Sequence, residues 1–159
     1  MAQIVFKRLT EIEKHELIDL MNHPLVRRQM PLLSGDFDET ACDRFIAAKE
    51  KFWAEHGYGP WAFSIDGEFA GWGGVQPEYD IVDLALVLHP KFWGMGKVIY
   101  HKIIHFAFIQ MGFPSVTILF PPTRTRVQGL TKLGFQEDGT TYVDNEKFVR
   151  YTLRNEQYI

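Results

Sequence analysis

The run from Asp83 to Gly112, DLALVLHPKFWGMGKVIYHKIIHFAFIQMG, constrains the fold of this chain more than any other stretch. In it a strand, a glycine turn and a helix follow one another without a spacer. Leu84 to Leu88 form an unbroken apolar run, which suits a central strand covered on both faces, and Pro90, lacking a donor, ends it. The strand so read spans Asp83 to His89. In the turn that follows, Gly94 and Gly96 stand one residue apart, so the backbone can take positive φ and approach a ligand with no Cβ in the way. The helix then runs from Lys97 to Met111, with Val98, Ile99, Ile103, Phe106, Ala107 and Ile109 as its apolar surface and Gly112 as its C-terminal cap. Amides at a helix N-terminus are unpaired within the helix and carry partial positive charge, which makes this turn a seat for phosphate. Lys91 and Lys97 flank it with compensating charge. Ser115 to Phe120 is the next strand, so strand, helix and strand imply a parallel pair joined by a right-handed crossover.

The rest of the chain builds around that unit. Residues 3–9 read as a first strand, and Thr10-Glu11-Ile12-Glu13 has the spacing of a capping box for a helix striped by Ile12, Leu17, Leu20 and Met21, which Pro24 stops. A second helix runs from about Asp38 to Glu55, capped by Asp38 or Thr40, packing Ala41, Phe45, Ala48 and Phe52, and ending at His56-Gly57. Asp66-Gly67 between two strand-like runs is a hairpin signal, so residues 61–89 form a three-stranded antiparallel meander. Gly71, Gly73 and Gly74 weaken its middle strand unless something sits closely against it; the acceptor is one candidate, and a bulge or sheet twist is the other. After the crossover come a loop and helix over Pro121 to Phe135, then strands at Gln136 to Val143 and Lys147 to Leu153 around Asp144-Asn145-Glu146.

At 159 residues, with 46% hydrophobic and 14% aromatic content, the chain is expected to be one globular domain, residues 1–159. A formal charge of −3 with no long basic run excludes an electrostatic footprint for nucleic acid. Lys7 and Arg8 interrupt the N-terminus before a signal-like apolar core forms, and no later stretch spans a bilayer, so no membrane partner and a cytoplasmic location are expected. Cys42 is the one cysteine and reads as a core residue. Lys97, His101 and His105 recur at spacing four on the helix after the glycine turn; two His at that spacing can chelate a metal, but no third ligand accompanies them, so a solvated stripe and no metal are expected.

Lys91-x-x-Gly94-x-Gly96, directly after an apolar strand and a His-Pro, resembles the (Arg/Gln)-x-x-Gly-x-(Gly/Ala) pyrophosphate loop of the GNAT superfamily of coenzyme A-dependent N-acyltransferases. A dinucleotide fingerprint would need a third glycine where Ile99 stands. The Phe-Trp-Gly-x-Gly wording, and His23-Pro24-Leu25-Val26-Arg27-Arg28-Gln29-Met30-Pro31, look most like the ribosomal-protein-alanine N-acetyltransferase branch, where the latter region walls the acceptor site. Arg27 and Arg28 are there to meet an acidic acceptor or a coenzyme phosphate, or are solvated at a helix end. Lys132-Leu133-Gly134-Phe135 matches the family's second block residue for residue. Thr123 replaces its usual Asn, Arg126 a small residue, and Leu130 the tyrosine that serves many relatives as general acid.

The resemblance implies an α+β fold: a mixed, mostly antiparallel seven-stranded sheet, about four flanking helices and a parallel pair splayed at the coenzyme site. It implies acetyl-CoA as co-substrate, main-chain contacts from Leu86, Val87 and Leu88 to the pantetheine arm and carbonyl, and the diphosphate on Phe92, Trp93, Gly94, Met95, Gly96 and Lys97 beside Lys91. Arg124 or Arg126 can pair with coenzyme phosphates through a bidentate fork. The partner is an amine acceptor, a small molecule or a protein N-terminus, and the resemblance also allows a homodimer.

Direct attack of the amine on the thioester requires a base, because an ammonium is not a nucleophile. Asp83, at the open end of the central strand, or Glu78, in the preceding turn, takes that role; both are equally ordinary as solvated loop carboxylates. Tyr79, Tyr142 and Tyr151 are the replacement acids on offer. Three readings follow: an acetyltransferase; a coenzyme-binding relative without efficient transfer, suggested by Leu130 and Arg126; or an interaction protein in which Trp53, Trp61, Trp72 and Trp93 are core or partner contacts. The first is adopted.

Overall fold

The computed structural model describes residues 2–30, 33–78, 81–123 and 128–157. Among the described residues seven strands form one sheet: β1 (Ile4–Lys7), β2 (Trp61–Ile65), β3 (Glu68–Glu78), β4 (Ile81–Leu88), β5 (Ser115–Phe120), β6 (Gln136–Val143) and β7 (Glu146–Arg154). Their spatial order is β1-β2-β3-β4-β5-β7-β6, antiparallel throughout except for β4 and β5. The α-helices among the described residues are α1 (Lys14–Asn22), α2 (Pro24–Arg27), α3 (Glu39–His56), α4 (Gly96–His105), which continues as a π-helical turn over Phe106–Gln110, and α5 (Gln128–Lys132). This is the expected α+β arrangement.

Local chemistry accounts for most boundaries. Asp66 and Gly67 take φ of 50° and 84°, and Asp144 and Asn145 take 51° and 66°. Two successive positive φ values make the tight turn whose twist matches antiparallel strands, so both hairpins sit on their signals. Asp38 accepts from the Ala41 amide and opens α3; Gly57, at φ 77°, closes it with an N–H to Trp53. At the N-terminus the capping expectation fails. Leu9–Glu11 is a short 3-10 turn, Glu11 accepts from the Arg8 amide, and α1 starts only after Glu13. Pro24 does not merely stop α1: its fixed φ suits the first position of a helix, and it opens α2 behind His23.

Two cores lie on opposite faces of the sheet. Leu84, Leu86 and Leu88 of β4 pack toward α4, where Ile99, Ile103 and Ile104 are fully buried. Ala85 and Val87 pack the other way, with Leu17, Leu20 and Met21 of α1 and Cys42 of α3. Strand alternation therefore sends one apolar run into both cores, as a doubly covered strand requires. Ala48, expected to pack, points out instead, and of the apolar surface read after the glycine turn Val98 and Ile109 are exposed, at 46% and 61%. No helix among the described residues is long and apolar enough to cross a membrane.

The β3 glycines answer to the neighbouring backbone. A Cβ on Gly71 would lie 2.1 Å from the Val87 carbonyl oxygen, and one on Gly73 would lie 2.4 Å from that of Ala85. The register shifts between Phe63 and Ser64, so a bulge and close strand approach explain the glycines. Gly71→Ala is expected to destabilise the protein by about 3 kcal/mol, the cost of overpacking against backbone that cannot rotate away. Chemical denaturation checks this; a change below about 0.5 kcal/mol would show that β3 and β4 can separate freely at that point.

Candidate active site

β4 and β5 part company almost at once. Among the described residues Asp83 and Thr117 are their one register pair. Beyond it Leu84 to Leu88 and Ile118 to Phe120 line opposite walls of a cleft of about 770 Å³. The polar groups entering this gap follow from alternation. The His89 amide donates to Ala70 on the β3 side, and the Ala85 and Val87 carbonyls point at β3 glycines. The even-numbered residues must therefore turn their backbone groups the other way, so the N–H groups of Leu86 and Leu88 face the cleft. The Leu88 carbonyl is taken by the Trp93 indole N–H at 2.9 Å.

At the far end of β4 the chain forms a 3-10 turn, Pro90–Met95, that runs straight into α4. His89 caps it by accepting from the Lys91 amide at 3.1 Å. Burial, the neighbouring His23 and Lys91 hold that imidazole below its ordinary pKa, which keeps the accepting nitrogen unprotonated. The glycines do not take positive φ: Gly96 is helical at φ −58°, and Gly94 is absent from the left-handed set. Their lack of a side chain matters instead. A Cβ at Gly94 would meet nothing within 4 Å, and one at Gly96 would touch only Leu88 Cδ1 at 3.7 Å, so the space beside the helix N-terminus is kept clear.

Gly96, Lys97, Leu86, Val87 and Leu88 line the cleft, whereas Lys91 to Met95 form the turn outside its lining. Lys91 pairs with Glu68 at 2.9 Å, both well exposed, and Phe92 and Met95 pack on the α4 core. Leu130 lines the cleft from α5. Arg124, Arg126 and Tyr79 lie outside the described residues. Neither Tyr142, 64% exposed on β6, nor Tyr151, set against Phe120, is among the lining residues.

At the near end Asp83 stands opposite Gln76 in the β3–β4 register. Trp72, Gln76, Glu78 and Asp83 all line the cleft, and alternation puts them on the α3 side of the sheet. Gln76 Nε2 donates to Asp83 Oδ2 at 3.4 Å, and Lys49 of α3 donates to Gln76 Oε1 at 2.8 Å. Burial, then the charge of Glu78, pushes the Asp83 carboxyl up to about 7, against the opposing pull of Gln76 and Lys49. Lys49 is held below its ordinary pKa by burial, while Asp83 and Glu78 favour its charged form. Val26, Gln29, Met30 and Leu33 wall this end.

Arg27 is neither a substrate contact nor simply solvated. It donates to Gly35 O at 2.6 Å and to Asn22 Oδ1 at 3.3 Å, and Asn22 in turn holds Phe37 through two hydrogen bonds. It is a clasp for the wall-forming segment; Arg28 is exposed.

Sequence reasoning missed Lys49, Gln76 and Tyr100. Tyr100, 6% exposed, lines the cleft from α4, and its spacing of four from Gly96 is the signal that places both on one helix face. Lys49 follows Phe45 at spacing four, but a lysine at an apolar helix position reads as surface. Among the described residues there is no group of three or more His, Cys, Asp or Glu that could hold a metal, and His101 and His105 are exposed.

Residues 3–136 match the family model described as "Acetyltransferase (GNAT) domain". The fold is shared with an acetyltransferase from Agrobacterium tumefaciens str. C58, at a TM-score of 0.76 and 16% identity over 95% of this chain and 90% of that one. A GNAT-family acetyltransferase from Bacillus anthracis gives 0.72 and 15% over 98% of each chain. A mutant spermidine N-acetyltransferase from Vibrio cholerae gives 0.67 and 12% over 99% of this chain and 96% of that one.

Proposed function

The chain belongs to the GNAT acetyltransferase family, and from that premise we propose that it moves the acetyl group of acetyl-CoA to a primary amine by direct attack in a ternary complex. The observation that carries this reading is the placement of Asp83, a half-buried carboxyl of pKa about 7, at one end of a cleft whose other end is a helix N-terminus cleared by Gly96. The cleft is polarised accordingly. Its lining carboxylates, Glu78 and Asp83, sit at the near end, and its lining lysines, Lys97 and Lys132, stand on the α4 and α5 side. A cationic amine and an anionic diphosphate each have a matching end.

Acetyl-CoA, when bound, supplies an activated acetyl group. In our assignment Lys97 and the α4 N-terminus hold its diphosphate, and the Leu86 and Leu88 amides donate toward its arm and carbonyl. Asp83 removes the proton that the amine must lose, with Glu78 adjacent to stabilise the ammonium before it reacts. Leu130 carries no proton for the departing sulfur; Tyr100 is the hydroxyl among the described lining residues and takes that role.

The acceptor we assign is the α-amino group of a peptide whose first side chain is small and apolar. An α-amine titrates near ~8, within about one unit of Asp83, so proton transfer is nearly balanced, whereas a lysine amine near ~10.4 is far from it. Val26, Met30, Leu33 and Trp72 present an apolar wall for the first side chain. The likeness of the Phe92-Trp93-Gly94 wording to the ribosomal-protein-alanine branch supports the same choice. Coenzyme A release should be measured with an alanyl peptide, its N-terminally blocked form and spermidine. The alanyl peptide is expected to exceed spermidine about tenfold or more in kcat/KM, a difference a single burial or charge contact can supply. The reverse order would overturn the acceptor, and no transfer to any amine would overturn the reaction.

A further inference from the structure

Lys49 is a cation drawn inward from the middle of α3. Its ammonium lies 5.1, 5.6 and 5.2 Å from the ring centroids of Phe45, Phe52 and Trp72, a three-sided aromatic setting whose ring faces attract a cation and offset part of the cost of burying it. Its hydrogen-bond partner among the described residues is Gln76 Oε1. An ammonium can only donate, so it dictates which way the Gln76 amide points. Oε1 must face Lys49, and Nε2 is then aimed at Asp83 Oδ2. Had the amide turned over, two acceptors would face each other at the carboxylate and two donors at the ammonium. Among the described residues Asp83 Oδ1 has no hydrogen-bond partner, so the free oxygen is the one available to a molecule in the cleft.

We propose that Lys49 is a positioning residue: acting through Gln76, it fixes Asp83 with Oδ2 held and Oδ1 left for the acceptor amine. The proposal rests on Asp83 being the base, as assigned above. It also gives Lys49 a second effect. The charged groups acting on Asp83 among the described residues are Glu78 on its own side of the sheet and Lys49 from α3, while β5 presents the neutral Thr117 in register. Removing the cation leaves the charge of Glu78 opposed by the Gln76 hydrogen bond alone, and the carboxyl then holds its proton to higher pH.

Lys49→Met tests this with the aromatic setting still filled, since a thioether packs well against rings. The Asp83 carboxyl should be followed directly by carbon-13 NMR of aspartate-labelled protein, with Asp83→Asn identifying its resonance. In Lys49→Met its midpoint is expected to rise by about one pH unit. The acid limb of kcat should move with it, lowering kcat at pH 7 about fivefold, because the deprotonated fraction falls from about a half to about a tenth, while KM for acetyl-CoA stays unchanged. Lys49→Arg, which keeps charge and donors, should restore much of both. Gln76→Leu breaks the same chain with Lys49 intact and should shift the midpoint in the same direction, which keeps the test open should Lys49→Met fail to fold. An unmoved midpoint in folded Lys49→Met or Gln76→Leu overturns the proposal. A midpoint that moves while the rate profile does not keeps the relay and removes Asp83 as the base, so the two failures are told apart.

Discussion

Replacing Gly96 with Asp is expected to abolish acetyl-CoA binding and leave the fold intact. Gly96 lines the cleft at the first position of α4, and a Cβ there meets only Leu88 Cδ1 at an ordinary 3.7 Å. The substitution is therefore sterically allowed, and a carboxylate in the first turn favours the helix by about 0.3–1 kcal/mol. What it disrupts is the anion seat. A carboxylate about 4 Å from a diphosphate charge costs about 4 kcal/mol at an effective dielectric constant near 20, roughly a thousandfold in affinity. Calorimetric titration with acetyl-CoA, beside a thermal melt, separates the two effects. Lost binding at unchanged or higher melting temperature places the diphosphate at this turn; unchanged affinity removes it from there. Gly94→Asp puts the same charge in the 3-10 turn outside the cleft lining, and a smaller loss is expected.

Asp83→Asn is expected to lower kcat at pH 7 by about two to three powers of ten, the range for removing a general base. The wild-type rate should rise with pH through about 7, where Asp83 loses its proton, and then level off. The variant should lose that inflection and rise only as the amine's own pKa near ~8 is approached. The stability effect has the opposite sign. Burial raises the folded-state pKa of Asp83 above its unfolded value near ~3.9, so between about 4 and about 7 the unfolded chain gives up this proton first. This group thus withdraws stability as pH rises across that window, and withdraws all of it above about 7. Asp83→Asn removes the effect, so at pH 8 the variant should melt higher than wild type while turning over more slowly. A normal rate would transfer the role to Glu78, which lines the same end of the cleft.

That opposition of activity and stability at one residue shows how unevenly the molecule can be read from its sequence. The Asp66-Gly67 hairpin, the Asp38 cap, the Gly57 stop and the strand-turn-helix from Asp83 onward rest on chemistry between residues a few positions apart. Such chemistry is visible in any window that contains it. The two β4 faces were equally legible, because an unbroken apolar run has one physical use in a sheet. Thr10 failed as a cap because it lies inside the 3-10 turn Leu9–Glu11, which Arg8 and Glu11 bracket, and α1 begins only after Glu13, a choice among close neighbours that propensity does not rank.

The site divides along the same line. By itself the sequence determined the single elements, the parallel crossover and the glycine turn at the head of α4, since apolar period, proline and glycine act locally, while the fold class was legible through the family resemblance of its motifs. Only the tertiary structure decided what those elements enclose. β4 and β5 separate after a single described pair, Gln76 stands across from Asp83, and α3 lowers Lys49 onto Gln76, 27 residues on in sequence, and beside the ring of Trp72. Arg27 became a clasp for the same reason, through a loop that folds back on it. A lysine or arginine in a sequence defaults to solvent because burying an isolated charge is so costly. It turns inward only where partners from distant segments converge, and that convergence is a property of the packed chain.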